Sequence, residues 1–148
     1  FPVGAVMAKA KVGDAMIPGT HGSTFGGNPL AMRSANAVLD LLLKDDFLIN
    51  LRERIIYFDN KMDSLIRDDE KKSPIILLKK GSGMLRGFQL KEKIVAGDFG
   101  NISREKGLLL VGAAENTIRL LPPLNTSKEE IDQAFEILSE VVKEIKKN

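Results

Sequence analysis

The chain has 148 residues, 43% of them hydrophobic, with 22 basic against 20 acidic side chains and no cysteine. That size and apolar content suit one domain, or one domain and part of another, and argue against global disorder. Interspersed, nearly balanced charge argues against a dedicated nucleic-acid surface, and the absence of cysteine removes disulfide and thiolate chemistry and fits a cytoplasmic protein. No apolar run approaches the ~20 residues of a membrane span. The first residues, Phe1-Pro2-Val3, lack an initiator Met and a signal-peptide pattern and read as a cut through a longer chain.

In chain order, residues 3–8 are short and apolar, which predicts a buried strand or its edge. Residues 9–17 are mixed and suit a short helix or loop with Asp14 exposed. Gly19, Gly22, Gly26 and Gly27 then make a turn-rich loop around the hydroxyls of Ser23 and Thr24. Asn28 is a preferred N-cap and Pro29 suits the first helical position, so a helix should run from there to about Lys44. Ala31, Ala35, Val38, Leu39 and Leu42 share one of its faces. A second helix is expected over 47–67, with Leu48, Leu51, Ile55, Phe58, Met62 and Leu65 in a stripe, followed by a solvated connection over 68–72.

Strands at 75–79 and 84–90 should pair antiparallel around Gly81-Ser82-Gly83. A short helix over 97–106 should end at Gly107. Strands at 108–111 and 117–121 follow, separated by a turn at 113–116, and Pro122-Pro123 stops the second. Ser127 and Glu130 form a capping box for the last helix, whose inner face carries Ile131, Ala134, Phe135, Leu138, Val142 and Ile145. This order predicts an α+β domain, a mostly antiparallel sheet with helices over one face.

Two features point to chemistry. A glycine-flanked hydroxyl pair before a helix start is one recipe for an anion site; it is also what a surface loop with a well-capped helix looks like. Thr24 by itself fits either a phosphate contact or a turn threonine bonding its own backbone. Arg119 lies between Ile118 and Leu120, so strand alternation turns it to the face opposite both. A lone guanidinium there suits bidentate binding of a carboxylate, or a structural ion pair. His21 is the only histidine, has no partner in sight, and is given no catalytic role.

The segment HGSTFGGNPLA at residues 21–31 closely resembles one found in the class III pyridoxal-phosphate aminotransferases, most of all those acting on acetylornithine. FPVGA at residues 1–5 resembles the stretch after that family's cofactor lysine, and TIRLLPPL at 117–124 resembles its C-terminal arginine strand. The resemblance implies an α/β chain, the C-terminal fragment of a fold-type-I transferase. Residues 1–30 would be the tail of the large cofactor-binding domain with its phosphate loop, and 31–148 an interdomain helix and the small domain.

It also implies pyridoxal 5'-phosphate as cofactor and a homodimer with shared active sites. Thr24 would contact the cofactor phosphate of the neighbouring subunit, Ser23 would face the substrate, and Arg119 would bind its α-carboxylate. The Schiff-base lysine and the aspartate at the pyridine nitrogen would lie upstream of Phe1. Lys9 and Lys11 fall after that lysine position, and Arg86 carries no site role. No catalytic residue and no metal site is then expected in this chain, which alone would be inactive. The implied reaction is transfer of an amino group from N2-acetylornithine to 2-oxoglutarate, in arginine biosynthesis. The alternatives are a sister activity on ornithine, succinylornithine or 4-aminobutyrate, and a non-enzymatic α+β module that binds a phosphorylated ligand or a protein partner.

Overall fold

The computed structural model describes residues 1–147; Asn148, the last residue of the expected second domain, lies outside them. Two units divide the chain, Phe1–Leu48 and a second from Ile49 onward.

In the first unit, residues 1–9 have no regular structure, so the strand expected at 3–8 is not formed. An apolar run becomes a strand only where its N–H and C=O groups find a neighbouring strand. All the strands described lie between Ile76 and Leu120 and pair among themselves. Helix α1 is a single turn, Ala10–Gly13, and Asp14 beyond it is exposed. Helix α2 spans Pro29–Leu42. Its start is fixed as the sequence predicts, because the Asn28 side-chain oxygen accepts from the N–H groups of Leu30 (2.9 Å) and Ala31 (3.2 Å). Of its apolar face, Ala31 is buried and Ala35 and Leu42 are half-buried, while Val38 and Leu39 stay exposed. The pattern specifies which face seeks cover; it does not supply the cover.

Helix α3, Phe47–Glu70, runs past the expected end at Arg67. The reason is Asp69, read from the sequence as part of a solvated connection but only 1% exposed. Its carboxylate accepts from the N–H of Ile75 (3.0 Å) and of Ile76 (2.8 Å), and the Lys146 ammonium stands 2.7 Å away. Lys146 also donates to the carbonyls of Asp69 and Lys72, each at 2.6 Å. An ionised group this deep is tolerated only when charge and hydrogen bonds compensate it together.

Strands β1 (Ile76–Ser82) and β2 (Leu85–Leu90) form the predicted antiparallel hairpin. After helix α4 (Ala96–Glu105) come β3 (Val111–Ala113), β4 (Thr117–Leu120) and helix α5 (Lys128–Ile145). The sheet order is β1-β2-β4-β3, antiparallel throughout. β3 begins at Val111, where the sequence suggested a strand over 108–111. Leu108 is instead tied to α4: its N–H donates to the Ser103 carbonyl and its carbonyl accepts from the Ser103 hydroxyl. Register comes from the turn, where Glu115 (φ 56°) and Asn116 (φ 50°) take left-handed conformations and set Ala113 opposite Thr117. Asn116 then spans the space to α4, donating to the Ile94 carbonyl (2.6 Å) and accepting from the Ala96 N–H (3.0 Å).

Phe88 and Leu90 of β2 and Ile118 and Leu120 of β4 face α3, α4 and α5 in one core with Phe58, Met62, Phe99, Ile131, Phe135 and Leu138. Edge-to-face ring contacts join Phe58 to Phe135 (5.5 Å) and Phe88 to Phe99 (5.4 Å). The capping box of α5 is complete, the Ser127 oxygen accepting from the Glu130 N–H and the Glu130 carboxylate from the Ser127 N–H. Ion pairs lock the hairpin to α3. Lys79 reaches Asp59 (3.0 Å) and Asp63 (2.5 Å), and Arg86 reaches Asp59 (2.9 Å) while donating to the Gly83 and Gly81 carbonyls. Arg86 therefore has structural work.

Replacing Asp69 tests the buried node. Asp69→Ala strands the Lys146 ammonium and two backbone N–H groups, and should lower stability by about 3–5 kcal/mol, the usual cost of removing one partner of a buried pair. Urea unfolding is the measurement. A loss under about 1 kcal/mol would place the node among ordinary surface pairs.

Candidate functional site

The loop before α2 is a chain of short turns. Thr20 closes the first, its N–H and its hydroxyl both donating to the Ile17 carbonyl (3.1 and 2.7 Å). Ser23 opens the next, its carbonyl accepting from the Gly26 N–H at 3.3 Å. Gly27, at φ 70°, then delivers the chain to Asn28 in a conformation most side chains resist. So Thr20, and not Thr24, is the threonine that bonds its own backbone. Among the described residues the hydroxyls of Ser23 and Thr24 have no hydrogen-bond partner, and neither do the N–H groups of Thr24, Phe25 and Gly27. All five donors sit on exposed residues within one turn. These two hydroxyls and three amides make a donor set that a phosphate or carboxylate could engage, although the Thr24 and Gly26 carbonyls beside them are equally without a protein partner among the described residues. A Cβ on Gly26 would stand 3.3 Å from the Ser23 hydroxyl oxygen, so glycine there keeps that hydroxyl uncrowded. His21 is exposed on the same loop.

Arg119 belongs to the second unit. Its neighbours Ile118 and Leu120 are buried in the core, and Arg119 itself is exposed. Among the described residues no carboxylate lies within ion-pair distance of it. The structural-pair reading of this arginine thus finds no partner. It borders a cavity of about 530 Å³ whose wall is otherwise largely apolar, with Leu108, Leu110, Pro122 and Phe135 among the lining residues. Glu130 is the other charged residue of that lining, and the Ser127 N–H already engages its carboxylate at 2.7 Å.

Sequence reasoning missed two features around Arg119. Gly87 lies directly across from it on β2, and Val111 on β3. A glycine inside an otherwise alternating strand was the available signal. The other is Lys80, which pairs with Glu115 in the β3–β4 turn. Among the described residues there is no cluster of His, Asp or Glu fit for a metal ion, and no helix long and apolar enough to cross a membrane.

The family model described as aminotransferase class-III matches residues 1–142. Over 140 residues the chain is 40% identical to the acetylornithine aminotransferase of Streptococcus mutans, covering 95% of this chain and 35% of that protein. Among solved structures it is similar to ornithine delta-aminotransferase of Plasmodium falciparum, with a TM-score of 0.81 at 29% identity over 96% of this chain and 35% of that one. It is also similar to the ornithine aminotransferase of Toxoplasma gondii, at TM-score 0.80 and 30% identity over 96% of this chain and 34% of that one; its active site is described as partly occupied by pyridoxal phosphate. The chain thus spans about a third of the length of the relatives it matches.

The Lys80–Glu115 pair has a pH signature. The Lys80 hydrogen bond, and then its charge, hold the Glu115 carboxyl below its ordinary value of 4.5. A depressed folded pKa adds stability that is fully present above the unfolded value and fades as pH falls through the folded one. Carboxyl NMR titration should therefore give Glu115 a midpoint below the ordinary range, returning to it in Lys80→Met. An unchanged midpoint in that variant would show that Lys80 does not hold Glu115 in solution.

Proposed function

The chain belongs to the class III aminotransferases, and from that premise we propose that the whole protein transfers the amino group of N2-acetylornithine to 2-oxoglutarate with pyridoxal 5'-phosphate, a step of arginine biosynthesis. The observation that carries the donor assignment is the 40% identity to an acetylornithine aminotransferase across 95% of this chain. In this reading the protein is a cytoplasmic homodimer, and the upstream part of the protein supplies the cofactor lysine. The 148 residues alone are then inactive.

Thr24 and the unpartnered amides beside it hold the cofactor phosphate of the neighbouring subunit. A phosphate ester carries close to two negative charges, so it takes up hydroxyl and amide donors that have no other acceptor. Ser23, next in the same turn, faces the substrate. Arg119 binds the α-carboxylate; its planar fork offers two parallel N–H donors, which fixes the carboxylate plane as well as its place. The cavity wall beside it is largely apolar, so it offers few competing polar partners to a carboxylate held there. When bound, the cofactor supplies the electron sink for transamination, and the protein supplies binding and orientation.

Thr24 and Arg119 should fail differently when changed in the whole protein. Thr24→Ala removes one hydrogen bond to a charged group, so cofactor affinity should fall roughly ten- to a hundredfold, with activity largely recovered at saturating cofactor. Arg119→Ala should leave cofactor affinity alone and raise KM for both the amino donor and the oxo acid, since one site receives both carboxylates. Mixing Thr24→Ala protomers with protomers lacking the cofactor lysine should restore activity at limiting cofactor, because hybrid dimers keep one intact site. Silence from proven hybrids would refute the cross-subunit role. Comparing donors tests the substrate: a higher kcat/KM for ornithine than for N2-acetylornithine would overturn the donor and leave the residue roles standing.

A further inference from the structure

Gly87 of β2 and Arg119 of β4 are direct cross-strand partners. Gly87 is buried. A Cβ built on it would stand 2.8 Å from the Ile118 carbonyl oxygen and 2.9 Å from the Thr117 methyl carbon, closer than side-chain carbons come to such atoms. The Ile118 carbonyl belongs to the peptide that joins Ile118 to Arg119. The backbone from which Arg119 springs therefore lies against a Cα that has no side chain. A glycine within a strand weakens it, so its presence at this pair asks for a reason in the approach it permits.

The other flank of Arg119 cannot set its place as firmly. There β4 pairs with β3, a three-residue edge strand that is exposed throughout. The β2 side is the rigid one, since Phe88 and Leu90 are anchored in the core and Arg86 is bound to α3.

We propose that Gly87 is a positioning residue for Arg119: its missing side chain lets the Ile118–Arg119 peptide nest on β2 and so sets where the guanidinium meets a substrate carboxylate. This rests on the reading of Arg119 given above. A Cβ at Gly87 would push that peptide outward by several tenths of an ångström, and the long arginine side chain enlarges any tilt at its root. Bidentate pairing needs both N–H groups aligned, so such a shift weakens it without touching the arginine.

The test uses the whole enzyme with Gly87→Ala, Gly87→Ala/Thr117→Ser, Thr117→Ser and Arg119→Ala. Gly87→Ala should raise KM for the amino donor and the oxo acid together by about tenfold. It should weaken glutarate, a dicarboxylate with no reacting carbonyl, to a similar degree by calorimetry, with cofactor affinity unchanged. Thr117→Ser removes the methyl contact and leaves the Ile118 carbonyl contact. The double variant should thus regain thermal stability lost in Gly87→Ala while keeping its KM defect, and Thr117→Ser alone should leave KM unchanged. If Arg119→Ala raises KM but folded Gly87→Ala does not, the positioning role is wrong and the carboxylate role stands. If Arg119→Ala leaves KM unchanged, the carboxylate reading itself fails. If neither Gly87 variant folds, the glycine serves the sheet and not the arginine, which also overturns the inference.

Discussion

A carboxylate only 1% exposed, Asp69, joins three parts of the second unit that the chain brings together from far apart. It stands at the end of α3, accepts from the N–H of Ile75 just before β1 and of Ile76 at its start, and meets Lys146 from the end of α5. Those backbone groups would otherwise be orphaned where the chain leaves the helix for the sheet, at Ser73 with φ 46°. With them satisfied, β1 enters at a fixed height above α3, and the hairpin follows. Lys79 and Arg86 then meet Asp59 on α3, a second tether one strand further in.

This scaffold decides what β4 can present. Ile118 and Leu120 are committed to the core, so Arg119 is committed to the opposite face by strand alternation alone. Glu115 would be a carboxylate in the turn beside β4, and Lys80 engages it. The arginine is left with a charge, a rigid root and no partner among the described residues, which is the state a binding residue needs before its ligand arrives. The loop at 18–27 shows the same economy: Thr20 and Asn28 take up the local turn and cap bonds, and the donors at Ser23 and Thr24 stay available.

Much of this was legible in the sequence because its causes are local. The Asn28 cap, the Ser127–Glu130 capping box, the Gly107 helix stop and the Pro122-Pro123 strand stop depend on a few adjacent residues. The faces of α3 and α5 and the alternation of β2 and β4 are periodic, and period needs no tertiary knowledge. Ser23, Thr24 and Arg119 stood out as residue types in a telling setting, but each kept a bland alternative until resemblance to a family gave it a role.

Other features could not be read locally. Whether residues 3–8 form a strand depends on a neighbour that sequence proximity does not reveal. The late start of β3 follows from Ser103 holding Leu108 and from left-handed backbone at Glu115 and Asn116. Asp69 sits in a run of six charged residues, 67–72, that reads as solvent-facing, and only the convergence of β1 and α5 on it makes it a core residue. The sequence by itself determined the helices, the hairpin, most of the inner faces of α3 and α5 and the side of the sheet on which Arg119 emerges, because capping and periodicity act within a few residues. Only the tertiary structure decided which charges pair, which stay unpaired and how closely β4 lies on Gly87, because those depend on atoms brought together from distant parts of the chain.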